Sequence, residues 1–342
     1  MTSTSRREFL RRSAFGGTAL MGVPAFLAAC GSDTKKSATT SGSAVATSSR
    51  GLAMQSAWVN DAEFTGYFVA MDKGYYTAEG LDLKYLSGGP DVIPESSLLS
   101  KVAPLALTLP DTTIKAIVDD NAPFVIIGTQ YQKSPLGVVS LAKNPIHEPK
   151  DLIGKTLAVA PVATISVEAM FKASGIDKSK VKIVPYQYDP TPLLKGEIDA
   201  SVDFTTNVPY TIEQGGEKAV SFLMYDFGYT IFNDTVTVTK DYLKSNRKEC
   251  VAWLRASRKG WEENFKDPAV YPPTLEASYF KGTGRTVANE IYFNKAQKPL
   301  IEAAGGIFSM SAESIDANLK ALSDIGIKGT RDMFDTSLLK EI

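Results

Sequence analysis

The chain has 342 residues, 44% of them hydrophobic, with 37 basic and 38 acidic side chains and a formal net charge of -1. That length suits about two lobes with a real core, which excludes disorder over the whole chain, and the near-zero charge excludes a general attraction to polyanions. The basic clusters (Lys35-Lys36, Arg247-Lys248, Arg255 with Arg258-Lys259) fall in a linker or at helical spacing and read as solvated faces rather than a nucleic-acid stripe.

Residues 1–29 read as an export signal. "SRREFLRR" at 5–12 is a positive leader, and the apolar run 14–29 is broken by Gly16, Gly17, Gly22 and Pro24. It is shorter than the about 20 residues that a spanning helix needs. The paired arginines resemble the twin-arginine export motif, and "LAAC" at 27–30 resembles a lipobox in which Cys30 becomes the lipidated mature N-terminus. Residues 30–50 are small and polar and read as a disordered tether. Loss of 1–29 removes four arginines and one glutamate, leaving a mature body of charge -4, expected to be soluble and held by lipid at the outer face of the membrane. With Cys30 committed, Cys250 stands alone and forms no internal disulfide. Its helical spacing with Leu254, Trp261 and Phe265 marks it as a buried small hydrophobe.

The body opens with a strand at 52–59 and a helix over 62–76, with Asp61 as N-cap and Phe64, Tyr67, Phe68 and Met71 at intervals of three and four. Gly74 and Gly80 punctuate, and 81–86 alternates as a second strand. The stretch 51–86 is thus a βαβ unit and predicts a parallel sheet. Strand or short-helix pieces follow at 101–109, 114–118 and 124–131. A second α/β set then runs from 137: strands at 137–144, up to 160, at 181–187 and 199–204, and helices at 165–176 and 191–198. Pro135 and the segment 233–235 are the expected crossings between lobes. After one more strand at 235–239 the chain turns helical, over 241–265, 272–280, 284–304 and 311–325. Two connections at a waist favour hinge bending around a ligand.

Signatures of catalysis are missing. His147, in a proline-flanked loop, and Cys250 do not make a zinc site, and no G-x-S-x-G elbow or phosphate-binding glycine loop occurs. Gly88 and Gly89 can offer backbone N–H groups at a strand end, or simply make a tight turn. The carboxylates Glu63, Asp72, Asp111, Asp189, Asp203 and Asp226 are not paired by helical spacing, which favours a binder. Polar and aromatic groups cluster instead where strands end: Tyr131 with Gln132, Tyr186 and Tyr188 around Gln187, Asn207 after Thr206, and Asp226, Phe227 and Tyr229 around Gly228. Ligands of α/β sheets sit beyond such ends, and a flat heterocycle suits this mixture of rings and amides.

The opening "WVNDAEFTGYFVAMDKGYYTAEGLDLKYLSGGP", with 132–159, "TPLLKGEIDA" at 191–200 and "TNVPYTIEQGG" at 206–216, resembles solute-binding proteins of the NMT1/THI5-like (SsuA/ThiY-like) group. The resemblance implies an α/β, periplasmic-binding-protein type II clamshell, lobe 1 from 51–134 plus 235–342 and lobe 2 from 135–234. It implies an ABC permease and ATPase as partners, no cofactor, no catalysis, a monomer, and a riboflavin or aminopyrimidine ligand. By likeness it puts Trp58, Glu63, Phe64, Tyr67 and Gly89 on one side of the ligand and Tyr131, Thr164, Tyr188, Asn207, Asp226 and Tyr229 across the cleft. Thr108 and Asp111 stand where relatives carry a glycine-rich ligand loop. The alternatives are an alkanesulfonate- or nitrate-type anion receptor, with Lys133 as the main cation near the strand ends, and a THI5-like pyrimidine-synthesis enzyme, whose cysteine cluster this chain lacks.

Overall fold

The computed structural model describes residues 50–302 and 305–342; the export signal, Cys30 and the rest of the tether up to 49 lie outside the described residues. Arg50, expected as the last tether residue, already belongs to a strand, and its guanidinium meets Glu249 at 2.7 Å. Strands β1 (Arg50–Gln55), β2 (Leu81–Leu86), β3 (Leu105–Thr108) and β4 (Phe124–Tyr131) precede β5 (Leu136–Leu141), β6 (Thr156–Val159), β7 (Lys182–Pro185), β8 (Ala200–Phe204), β9 (Ala219–Leu223) and β10 (Asn233–Thr239).

These strands form two five-stranded sheets, ordered β2-β1-β3-β10-β4 and β7-β6-β8-β5-β9. The expected parallel βαβ unit is present, with Arg50 opposite Leu81 through Gln55 opposite Leu86. Neither sheet is wholly parallel, however. In each, the fourth strand is antiparallel to both neighbours. These are β5 and β10, the strands that arrive straight from the other sheet and so run back along it. The two crossings touch: Ser134 N–H donates to Ile231 O at 3.0 Å. The architecture is the two-lobed, hinged α/β clamshell of type II periplasmic-binding proteins.

A 3₁₀ turn (Ala62–Phe64) leads into α1 (Thr65–Asp72), and α2 (Tyr75–Ala78) follows after Gly74, whose φ of 69° ends the first helix. The expected helix over 62–76 is therefore three short pieces. Next come α3 (Pro94–Leu99) and α4 (Pro110–Asp120), which absorbs 114–118, then α5 (Thr164–Ala173), α6 (Thr191–Leu194) and α7 (Val208–Gln214). The C-terminal part supplies α8 (Lys240–Lys266), α9 (Pro272–Leu275), α10 (Val287–Ile301) and α11 (Ala312–Asp324). Strand β9 had no sequence signal because it is a half-exposed edge.

The first core is aromatic. Tyr67 of α1 stacks on Trp253 at 5.6 Å and meets Trp261 edge-on at 5.8 Å, both from α8, and the buried Cys250 thiol is pushed up to about 12 by desolvation. Two glycines allow α1 and α8 to come this close. A Cβ on Gly260 would lie 2.1 Å from Gly66 O, and one on Gly66 would lie 2.1 Å from the Trp261 ring. In the second core, Ile315 and Leu322 of α11 pack with Val167, Met170 and Phe171 of α5. The C-terminal helix α11 thus packs with α5 of the middle segment and with Ile114 of α4 in the same cluster. Gly260→Ala is expected to cost at least about 3 kcal/mol, because backbone faces the new methyl and no rotamer relieves it. Denaturant unfolding would measure this.

Candidate ligand site

The C-terminal ends of the parallel strands in both sheets open on a cavity of about 380 Å³, the size of a small-molecule site. After β1, the chain bends past Gly88, whose N–H donates to Trp58 O at 2.8 Å. A side chain at 88 would meet Ser56 O at 2.5 Å, so glycine is what lets this loop seat Trp58. The indole meets Tyr188 of the other lobe edge-on, with ring centroids 4.8 Å apart. Tyr188 holds φ at 58° and Asp234, also on the wall, at 49°, a region that side chains other than glycine seldom adopt.

The turn at 61–64 is fastened from far along the chain. Asp61 accepts from the Glu63 N–H at 3.0 Å as its N-cap, as expected, and receives the Arg285 guanidinium at 2.9 Å. On α10, Glu290 accepts the Ala62 N–H at 2.5 Å while Gln297 Nε2 donates to Ala62 O at 2.6 Å. Gln130 Nε2 donates to Glu63 O at 2.8 Å. Glu63 is thereby presented to the cavity, beside Asp234 of β10.

The wall is largely apolar, and its charged side chains are mostly acids: Asp61, Glu63, Glu95, Asp111, Asp203 and Asp234, with Arg285 as the one basic side chain among the described lining residues. Burial pushes the Asp234 carboxyl up to about 7, and Glu63 well above the carboxylate range, where the charges of Asp234 and Asp61 add to desolvation. Glu290 rises to about 8 through burial and the charge of Asp61, against the pull of Arg285. Asp203 rises to about 7 and Asp111 to about 6, again by burial, opposed by hydrogen bonds from Ser201 at 2.5 Å and from Tyr229 at 2.9 Å.

Of the expected site residues, Trp58, Glu63, Gly89, Tyr188, Asn207 and Tyr229 line the cavity. Tyr229 bridges the lobes, taking a hydrogen bond from Ser166 at 2.8 Å and giving one to Asp111, and Asn207 accepts one from Asn289 at 2.9 Å. The other six lie elsewhere. Phe64 and Tyr67 are fully buried in the first core, Phe64 in the 3₁₀ turn near Tyr85 of β2 and Tyr67 on the face of α1 that turns to α8. The Thr108 hydroxyl is tied to Thr235 and Thr237 across the sheet, and Tyr131 donates to Gln297 at 2.6 Å. Thr164 is exposed at the start of α5, while Asp226 is exposed and pairs with Lys133 at 3.1 Å, which also takes that cation out of the cleft. Sequence reasoning missed Asp234 and Arg285. The first sat in a segment read only as a crossing, the second in "KGTGR", weighed only for phosphate.

The NMT1/THI5 like family profile matches residues 61–270, more than half of the chain. The chain belongs to this family. It is 27% identical over 217 residues to the formylaminopyrimidine-binding protein of Halalkalibacterium halodurans, covering 62% of this chain and 65% of that protein. It is 20% identical over 216 residues to the riboflavin-binding protein RibY of Chloroflexus aurantiacus, covering 62% and 61%. The chain thus spans less than two thirds of the length of either relative. The alkanesulfonate-binding protein SsuA of Xanthomonas axonopodis pv. citri, solved with MOPS, superposes with a TM-score of 0.63 at 12% identity, over 84% of this chain and 98% of that one. At that identity the likeness concerns the fold.

Family membership places the chain beside the solute-binding relatives named above. Among the described residues no group of three or more acidic, histidine or cysteine side chains is placed to hold a metal.

The raised acids make stability depend on pH. Each binds its proton more tightly folded than unfolded, so its contribution is complete below about pH 4 and is lost as pH rises through about 6 to 8. The melting temperature should fall by several degrees between about pH 5.5 and about pH 8.5, and Asp234→Asn should flatten that slope. Scanning calorimetry across the range checks both.

Proposed function

We propose that the solute of this receptor is a planar nitrogen heterocycle of the aminopyrimidine class, packed against the Trp58 and Tyr188 ring pair and recognised at the cavity floor by Glu63 and Asp234. The observation that carries this reading is the pairing of aromatic groups from both lobes with a wall of carboxyl groups. Rings supply apolar burial at about 25 cal/mol per Å², and carboxyl oxygens accept from ring and amino N–H groups. The sequence relatives that bind formylaminopyrimidine and riboflavin support the same class. A solute that touches both lobes gives the differential affinity that closure requires.

A second reading is an alkanesulfonate receptor. Similarity to solved sulfonate-binding structures supports it over a larger share of the chain, 84% against 62%, and Arg285 on the wall is a cation for it. Against it, Arg285 is already engaged by Asp61 at 2.9 Å, and the surrounding acids repel an anion.

Calorimetric titration with formylaminopyrimidine, riboflavin and MOPS separates the two. Formylaminopyrimidine is expected to bind and MOPS not, and Trp58→Ala should weaken binding by at least about tenfold, or about 1.4 kcal/mol. Binding of MOPS alone would overturn the heterocycle reading. For localisation, we propose that Cys30 carries the lipid anchor. Palmitate labelling of cells should tag the wild-type protein and not Cys30→Ser, which should appear in the soluble fraction.

A further inference from the structure

The acids of the cavity outnumber its cation, and the cation is committed. Arg285 lies 2.9 Å from Asp61 and 3.8 Å from Glu290, leaving Glu63 and Asp234 without an ion pair among the described residues. Both line the cavity and are nearly sealed from solvent, 3% and 0% exposed. Their carboxyl groups interact across the cavity wall, and neither oxygen of Asp234 has a hydrogen-bond donor among the described residues. Two carboxyl groups in contact cannot both ionise at low cost, so they titrate as a pair.

The elements packed around the pair fix what else can change charge. Asp61 comes from the same turn, Glu290 and Arg285 from α10 and its approach, and the hydroxyls of Tyr67, Tyr85 and Tyr131 from α1, β2 and β4. Burial holds all three tyrosines far above their ordinary range, so they stay neutral. Asp234 holds its left-handed backbone inside β10, between Asn233, which pairs with Tyr131, and Thr235, which pairs with Thr129.

We propose that Glu63 and Asp234 hold one shared proton and that the solute, binding as a planar cation, displaces it. Two N–H groups of an amidine-like edge take the place of the carboxyl O–H; that bond breaks, its electrons stay on the carboxylate, and the proton passes to solvent. The pair goes from one negative charge to two, balanced by the incoming positive charge and the released proton. A neutral ring that displaced the proton would leave two buried carboxylates with no cation between them, and unpaired buried charge is costly. The inference rests on the planar-heterocycle reading and adds the charge state of the bound ring and a pH dependence of loading.

The test uses the whole chain, with benzamidine as a planar cation whose charge is constant near neutrality and benzamide as its neutral counterpart. Titration calorimetry in two buffers of different ionisation heat, from about pH 6 to about pH 8, should show about one proton released per benzamidine bound. Affinity should rise up to about tenfold per pH unit while the pair is protonated. Benzamide should bind at least about tenfold more weakly. Asp234→Asn should abolish the proton release, its fold being checked by circular dichroism. Buffer-independent heats, equal affinity for the two probes, or binding of neither would overturn the proposal. Should Asp234→Asn not fold, carbon NMR of labelled carboxyl groups in the wild-type protein without solute decides. The pair should hold a proton near neutrality, and ordinary carboxylate titration of both groups would overturn the idea. If formylaminopyrimidine binds without proton release, this inference alone falls; if no heterocycle binds, the reading beneath it falls too.

Discussion

The site depends on how α10 grips a single peptide unit. Ala62 sits in a buried 3₁₀ turn, where an unpaired N–H or C=O would cost about 1–3 kcal/mol each. Glu290 and Gln297 satisfy both, and Arg285 ties the adjacent Asp61. The partners lie 228 and 235 residues away in sequence, so the first lobe cannot present Glu63 until the C-terminal helices have folded back onto it. Gln297 also accepts from Tyr131, which links the same grip to the end of β4, where the chain enters the first crossing.

The two sheets repeat one plan, and that plan puts the cavity where it is. In each, three strands run parallel and deliver their C-terminal loops to the same edge, while the fourth arrives from the other sheet and runs back. Loops after β1, β2 and β3 bring Trp58, Gly89 and Asp111; loops after β6, β7 and β8 bring Ser166, Tyr188 and Asn207. The facing loops touch at Trp58 with Tyr188, Asp111 with Tyr229, and Asn207 with Asn289.

Much of this was legible. Helical spacing disclosed α8, alternation disclosed β2, the helical readings over 284–304 and 311–325 match α10 and α11, and strand ends with Tyr188, Asn207 and Tyr229 pointed to the cleft. The clamshell itself came from family likeness, since composition and spacing gave only an α/β chain with two lobes. Phe64 and Tyr67 misled because an aromatic at a helix start has the same spacing whether it faces a cleft or the core; the neighbour decides, and here it is β2 for Phe64 and, behind the Gly66 and Gly260 contact, α8 for Tyr67. Asp234 and Arg285 were hidden for a different reason. Their importance comes from distant partners and, for Asp234, from a left-handed backbone that no local pattern announces.

Asp234 is the second residue of the strand that returns from the second lobe. Any rotation of one half against the other is therefore transmitted first to the peptides on either side of it, where the torsion is already held in a seldom-used basin. Parting the halves would therefore reorient this acid, so opening the cleft would slacken the wall's hold on whatever fills it from within, without needing a competitor to push it out.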